Sequence, residues 1–360
     1  MMSKLINTNL RLMGVVCFLF VLSVQHVFAG PDGEKPWMGK ARDTLAAMMA
    51  EVGAAKDASG LLVLTNAGYG QIGGDTTERF LDIAQEVTGC STGKRSLLSV
   101  HKSIDDPMWF SLYAKGSNKL AYALWQADAF GQQVIDANPE QLFLPDNWQA
   151  AAAGLLKENM FSVVSLSLTW AADPPWPLLL AATFHDHFCP GVNAGYYFGR
   201  YLQQHLPLKQ GEKFVFVNAP GICPADALQM MFNTTAGKSS MYARSVPGES
   251  LKQYALNGVT PSSVAMRVNA AADTCDGLVL GFDWNKAYGL AGMSPEEIAP
   301  PGGMSNPVFF ISRAKMSQAL AQVPEQQLLD LVVVMKEFSG KASLADDLGG
   351  GDPYGQVLAQ

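Results

Sequence analysis

A four-residue signature occurs twice in this chain at one constant offset: Asp82, Gln85, Gly93 and Lys94 return as Asp226, Gln229, Gly237 and Lys238. The hydrophobic spacing around each copy repeats as well. Residues 38–52 carry helical periodicity, 61–66 read as a buried strand ending in Ala67-Gly68, 76–88 as a second helix, and 96–101 as a strand after a Gly-containing turn. Later the order returns, with a helix over 190–205, a strand over 214–217, a helix over 224–232 and a turn to Gly237-Lys238. Asn66-Ala67 and Asn218-Ala219 extend the match at a slightly longer offset, as an insertion in the second copy requires. Alternating helices and strands predict an α/β (α+β layered) fold, built as two related strand-helix-strand copies forming a pseudo-dimer.

The copies are expected over 30–150 and 151–340, followed by a flexible Gly/Asp-rich tail over 341–360. Asn138-Pro139 and the breakers at 172–177 mark the junction. Within the second copy the apolar runs 160–169, 178–182 and 308–311 read as strands, and 325–338 as an amphipathic helix.

The 360 residues are 48% hydrophobic and 16% charged, enough to bury a large core, and 25 Lys+Arg against 32 Asp+Glu give a net charge of −7. No basic nucleic-acid footprint exists in such a composition. Lys4 and Arg11 precede an apolar run over 12–24, and Val27-Phe28-Ala29 supplies a small-residue cleavage pattern, so residues 1–29 read as a cleaved signal peptide. The mature chain is then periplasmic or secreted, with no membrane span. An oxidising compartment permits disulfides, which leaves each cysteine pair open to two readings, cross-link or metal site.

His185, His187 and Cys189 crowd into one short window ending in Pro190-Gly191. In extended chain these alternate residues share a face. Two imidazoles and a thiolate make a nitrogen-and-sulfur set suited to zinc or another late transition metal, with a coordination position left open. Pro190 suits the first position of a helix, making Cys189 its N-cap, where the dipole favours a thiolate. Gly191, Gly195 and Gly199 then form a bare stripe, predicting close approach of backbone, sheet or ligand. Cys223-Pro224 repeats the construction, with Asp226 in the first turn, so Cys189 and Cys223 are expected to meet at one sheet edge. A Cys189–Cys223 disulfide, structural or redox-active, is the competing account. Non-covalent haem on His185 or His187 is another. Cys90 and Cys275 read as free thiols, with a mutual disulfide the alternative.

HxHxCPG over Phe184 to Gly191, then Cys223 to Gln229, then Gly237-Lys238, resembles the FmdE-like family, which takes its name from a component of formylmethanofuran dehydrogenase. The segment Thr88-Gly89-Cys90-Ser91 to Gly93-Lys94 is similar to that family's TGCT-x-GK, and Lys119-Leu120-Ala121 to its later strand. The resemblance implies an α/β domain, usually dimeric, with a metal, commonly zinc, in a cleft. Carried over, the ligands are His185, His187, Cys189 and Cys223, with Asp226 and Lys238 near the pocket and Cys90 or Lys94 lent by an inert first copy. Asp186 stands where the family usually has Gly, and Thr234 replaces a Cys. The reaction in the family's name needs a molybdenum- or tungsten-bearing component and is not expected of a secreted chain.

A P-loop is excluded because Phe232 occupies its first Gly position. No C-x-x-C-H, G-x-S-x-G or H-E-x-x-H occurs. The expected function is binding of a metal, metallocofactor or metal-containing small molecule. A metalloenzyme and a Cys189/Cys223 thiol redox protein are the alternatives, and a homo-oligomer is compatible with each.

Overall fold

The computed structural model describes Gly33 and residues 35–358, so the signal peptide expected at 1–29 lies outside the described residues. Chain order in the first half runs α1 (Pro36–Val52), β1 (Leu61–Thr65), α2 (Phe80–Thr88), β2 (Leu97–Ser99), β3 (Trp109–Ala114), β4 (Lys119–Gln126) and β5 (Ala129–Asp136). After short helical segments over 139–159, three longer helices follow, α3 (Met160–Trp170), α4 (Trp176–Phe184) and α5 (Pro190–His205). Then come β6 (Lys213–Asn218), α6 (Cys223–Phe232), β7 (Met241–Ala243), β8 (Pro261–Asn269), β9 (Thr274–Phe282), α7 (Trp284–Leu290), α8 (Pro307–Leu320), β10 (Val332–Gly340), α9 (Leu344–Gly350) and α10 (Pro353–Leu358).

Two five-stranded sheets result, ordered β2-β1-β3-β4-β5 and β7-β6-β8-β9-β10. In each, a strand-helix-strand crossover makes the first pair parallel and the remaining three strands add antiparallel. Asp82 and Asp226 both stand in the first turn of the crossover helix. Gln85 and Gln229 both offer their carbonyl to the N–H of the residue that ends it, Gly89 and Asn233.

The strand match is one residue out of register, however. In the first sheet the Val63 N–H bonds the Ser96 carbonyl and the Val100 N–H that of Thr65. In the second, the Phe216 N–H bonds the Ser240 carbonyl and the Arg244 N–H that of Asn218. Thr65, not Asn66, therefore holds the place of Asn218, and the repeated Asn-Ala pair is coincidental. A slip of one residue would turn every side chain to the opposite face.

Helices α1 and α2 cover the outer face of the first sheet through Leu45, Met48, Val63 and Phe110. Helices α9 and α10 cover the outer face of the second through Leu348, Tyr354 and Val357 against Val215 and Val279. Between the sheets lie α3 to α6 and α8, in one core that includes Leu62, Leu64 and Tyr122 on one side and Phe216 and Leu280 on the other. The shared core is asymmetric. The first sheet gives it the face without α1 and α2, and the second the face that carries α5 and α6.

Several expected elements change type. Residues 160–169 and 178–182, read as strands, are the helices α3 and α4, because a helix buried on all sides has no polar face to register its period. Residues 308–311 begin α8, whose Asn306 side chain caps the Val308 N–H. The helix read over 325–338 is a short turn, Glu325–Leu329, followed by the β-branched run of β10. The helix read from 76 begins at Phe80, after a small hairpin pairing Gln71–Ile72 with Asp75–Thr76. In place of a loose tail, 344–358 form α9 and α10, burying Ala345, Leu348, Tyr354 and Val357. No helix among the described residues is long and apolar enough to cross a membrane.

Candidate metal centre

The motif window is a helix end and a helix start joined by a tight turn. His185 closes α4, its N–H bonded to the Ala181 carbonyl at 2.9 Å. Asp186 then takes φ +70°, the left-handed conformation that Gly adopts freely and Asp tolerates. This is the position at which the sequence departs from Gly. The turn, not an extended strand, sets how the two imidazoles project. Cys189 is the extended N-cap of α5, and Pro190 its first residue.

Buried hydroxyls hold this turn from below. Ser162 of α3 donates to the Asp186 carbonyl, Ser165 accepts the Phe188 N–H at 3.0 Å, and Ser317 of α8 donates to the Phe188 carbonyl at 3.3 Å. Phe188 is fully buried and anchors the turn in the core. The first half contributes too. Lys102 Nζ bonds Asp186 Oδ2 at 2.8 Å, and His101 N–H bonds the Thr183 carbonyl at 2.9 Å.

The glycine stripe explains how Cys223 arrives. A Cβ on Gly191 would stand 2.7 Å from Cys223 Cβ, and one on Gly195 would stand 2.5 Å from the Pro224 carbonyl oxygen. The bare face of α5 is thus where α6 lies against it, and the two helix starts bring Cys189 and Cys223 together. Ligand atoms of His185, Cys189 and Cys223 all lie within 4.8 Å of one another. His187 falls outside that group. Its ring sits 4.3 Å from that of His185, its Nδ1 bonds Asp186 Oδ1 at 2.6 Å, and it lines the adjacent cavity.

His185 Nδ1 bonds Asp226 Oδ2 at 2.7 Å, while its buried Nε2 has no hydrogen-bond partner. A carboxylate behind an imidazole fixes the ring and its tautomer, as for histidines that ligate metals. Burial opposes charge on His185, but the bond to Asp226 and the nearness of Cys223 outweigh it and raise the imidazole to about 9. Cys189 is pushed up by its hydrogen bond to Cys223 and by burial. Cys223 is pulled well down by its bond to Cys189 and by His185, against the opposing effect of burial. Of the two thiols, Cys223 is thus the one shifted toward ionisation and Cys189 the one shifted away from it, the reverse of what the N-cap position of Cys189 predicts. All four described cysteines are free thiols.

The donor set fits a late transition metal: an orphaned buried nitrogen, two sulfurs within reach of it, and a carboxylate fixing the ring. Beside it opens a cavity of about 370 Å³ with Cys189, Cys223 and His187 on its floor and Phe161, Trp284, Tyr288, Phe310 and Arg313 in its walls. Most of those walls come from the segment between β9 and β10. The sequence offered no signal for a site there.

Three expected pocket residues, Lys238, Lys94 and Cys90, lie elsewhere. Lys238 donates from Nζ to the carbonyl and side-chain oxygens of Asn233 at the end of α6. Lys94 does the same at the end of α2, bonding the Gly89 carbonyl at 2.8 Å. The repeated Gly-Lys is a helix-ending device, favourable for a cation at a helix C-terminus. Cys90 is buried in the core between α1, α2 and the first sheet, its S–H on the Leu61 carbonyl, and lines a different hollow with Asp57 and Lys94. Cys275 lies on β9 with its S–H on the Lys341 carbonyl.

Residues 184–267 match the sequence model of the family described as FmdE, Molybdenum formylmethanofuran dehydrogenase operon, and so form an FmdE-like domain. No curated protein matches the chain.

Proposed function

We propose that this FmdE-like domain holds one transition-metal ion, zinc by its chemistry, on His185, Cys189 and Cys223, and that the protein binds a small molecule in the adjoining cavity. One observation carries the reading: His185 is fixed by Asp226 with its buried Nε2 unpartnered beside two cysteine sulfurs. Such a nitrogen costs about 1–3 kcal/mol to leave unpaired, which a bound cation removes. Metal uptake would displace protons from His185 and Cys189.

A zinc ion there would supply Lewis acidity at an open position. Asp226 would keep the His185 ring oriented, Asp186 would hold His187 at the cavity wall, and the apolar walls would exclude water. The leader over 1–29 supports export to the periplasm or beyond, and the matching strand orders support an internal duplication. Reversible thiol chemistry between Cys189 and Cys223 is the second reading, supported by the closeness of their sulfurs, which lie within 4.8 Å of each other.

Elemental analysis of protein purified without added metal tests the proposal. About one metal per chain is expected, lost in Cys223→Ser and in His185→Ala. Metal-free protein with Cys189 and Cys223 joined by a disulfide would overturn it in favour of the second reading.

A further inference from the structure

We infer that the cavity takes a small organic anion with an apolar body, its charged end held by Arg313. The inference rests on the reading above for the far end of the ligand, which would meet the metal site. Its own support is the composition of the walls. Phe161, Trp284, Tyr288, Phe310 and Met316 present apolar surface, and into it projects one guanidinium.

Arg313 is held rigidly. Its Nη1 donates to the carbonyls of Ile298 at 3.2 Å and Phe309 at 3.1 Å, and to Ser312 Oγ at 3.0 Å. Its guanidinium carbon lies 3.5 Å from the centre of the Phe309 ring. Nε and Nη2 donate to no described residue, and no carboxylate among the described residues pairs with it. The neighbouring acid of the same segment, Glu297, is already bonded to Lys315 at 3.0 Å and to the Ser294 N–H.

A half-buried, unpaired guanidinium with two donor groups free is matched to a carboxylate or phosphate, which it grips in a fork that a lysine cannot reproduce. A fixed positive charge beside a cation site works against the cation alone. It favours a ligand that brings negative charge with it. The alternative role for Arg313 is as counter-charge to the cysteine thiolates, which predicts an effect on metal content instead of ligand choice.

The test uses full-length protein and two probe pairs, phenylacetate with phenylacetamide and 4-phenylbutyrate with its amide, titrated calorimetrically before and after chelator treatment with metal content assayed in parallel. A carboxylate preference of about tenfold is expected from one charge-assisted contact. Arg313→Gln should abolish that preference while leaving metal content in place, and Arg313→Lys should retain part of it. Equal binding of acid and amide, absence of binding by either, or a preference that survives Arg313→Gln would overturn the inference. Loss of metal in Arg313→Gln with the preference intact would assign Arg313 to the thiolates. A preference that survives chelation would sustain this inference alone, and a preference in protein that holds no metal as purified would sustain it and sink only the metal reading.

Discussion

Gly195→Ala pits two known effects against each other at the contact that brings the cysteines together. In an isolated helix the change should stabilise by about 1 kcal/mol, because alanine loses less backbone entropy. Here the new methyl would lie 2.5 Å from the Pro224 oxygen, 2.6 Å from Pro224 Cα and 2.8 Å from Ala227 Cβ. Carbon contacts are comfortable at about 3.5 Å or more, and backbone atoms cannot rotate aside, so α6 must retreat by roughly 1 Å. Overpacking of this kind costs about 1–3 kcal/mol, leaving a net loss of about 0–2 kcal/mol.

Gly199→Ala is the control on the same helix face. Its methyl would meet Met231 Cε at 2.5 Å and Sδ at 2.6 Å, the far end of a flexible side chain that can choose another rotamer. That variant should be neutral or slightly stabilised. Urea unfolding with a common m-value separates the two, and metal content should fall in Gly195→Ala alone as Cys223 is pushed from Cys189. Equal stability of the two variants, or a gain in Gly195→Ala, would refute the claim that the stripe exists for α6.

Asp186→Asn keeps a residue that tolerates positive φ but removes a carboxylate held at about 2, against the effect of burial, by its bonds to His187 and Lys102. A depressed acid stabilises above its ordinary value and loses that contribution as pH falls through the folded one. With the side chain 37% exposed, screening trims the benefit to about 1 kcal/mol. The stability gap between wild type and variant should be full at neutral pH and close toward pH 2; a gap that does not change over acid titration counts against the ion-pair account. In metal-free protein at mildly acidic pH, iodoacetamide should reach Cys223 first, since Cys189 and His185 pull its thiol down and it is the least buried of the described cysteines, while Cys90, Cys189 and Cys275 are buried with their thiols pushed up. Peptide mapping that finds Cys189 or Cys90 labelled ahead of it would show that the proton sits on the wrong sulfur.

Residues whose local chemistry is strong were legible from the sequence. Pro190 and Pro224 announce helix starts, and Cys189 and Cys223 beside them follow, as does the approach of something bulky to Gly191 and Gly195. The helices α3 and α4 were not legible, because apolar residues cover them all round and Val, Ser and Leu alternate by accident over 163–168. The spacing of Ser162 and Ser165, three apart in an apolar run, was the available sign of a helix with one hydrogen-bonding face. Asn306-Pro307 likewise spelled a capped helix start ahead of a run taken for a strand. Lys238 and Cys90 were misplaced for a different reason: a recurring motif was read as chemistry when it ends a helix. Arg313 had no motif at all, since what singles it out is the absence of an acidic partner among the described residues in three dimensions.

Strands β4 and β5 are joined by only Ala127 and Asp128, both at positive φ. The corresponding strands of the other sheet, β9 and β10, are joined by everything from Asp283 to Leu331, and this excursion is what roofs the cavity. Its two ends stay clasped, the Asp283 N–H bonded to the Leu331 carbonyl at 2.9 Å, so the hairpin is closed whatever the excursion contains. Closure entropy grows only slowly with loop length, and His185, Cys189 and Cys223 all lie outside the excursion. On the function proposed above, ligand choice and metal capture would fall to separate stretches of chain. The roof could be shortened, lengthened or exchanged between relatives, changing what is recognised, without disturbing the atoms that would hold the ion.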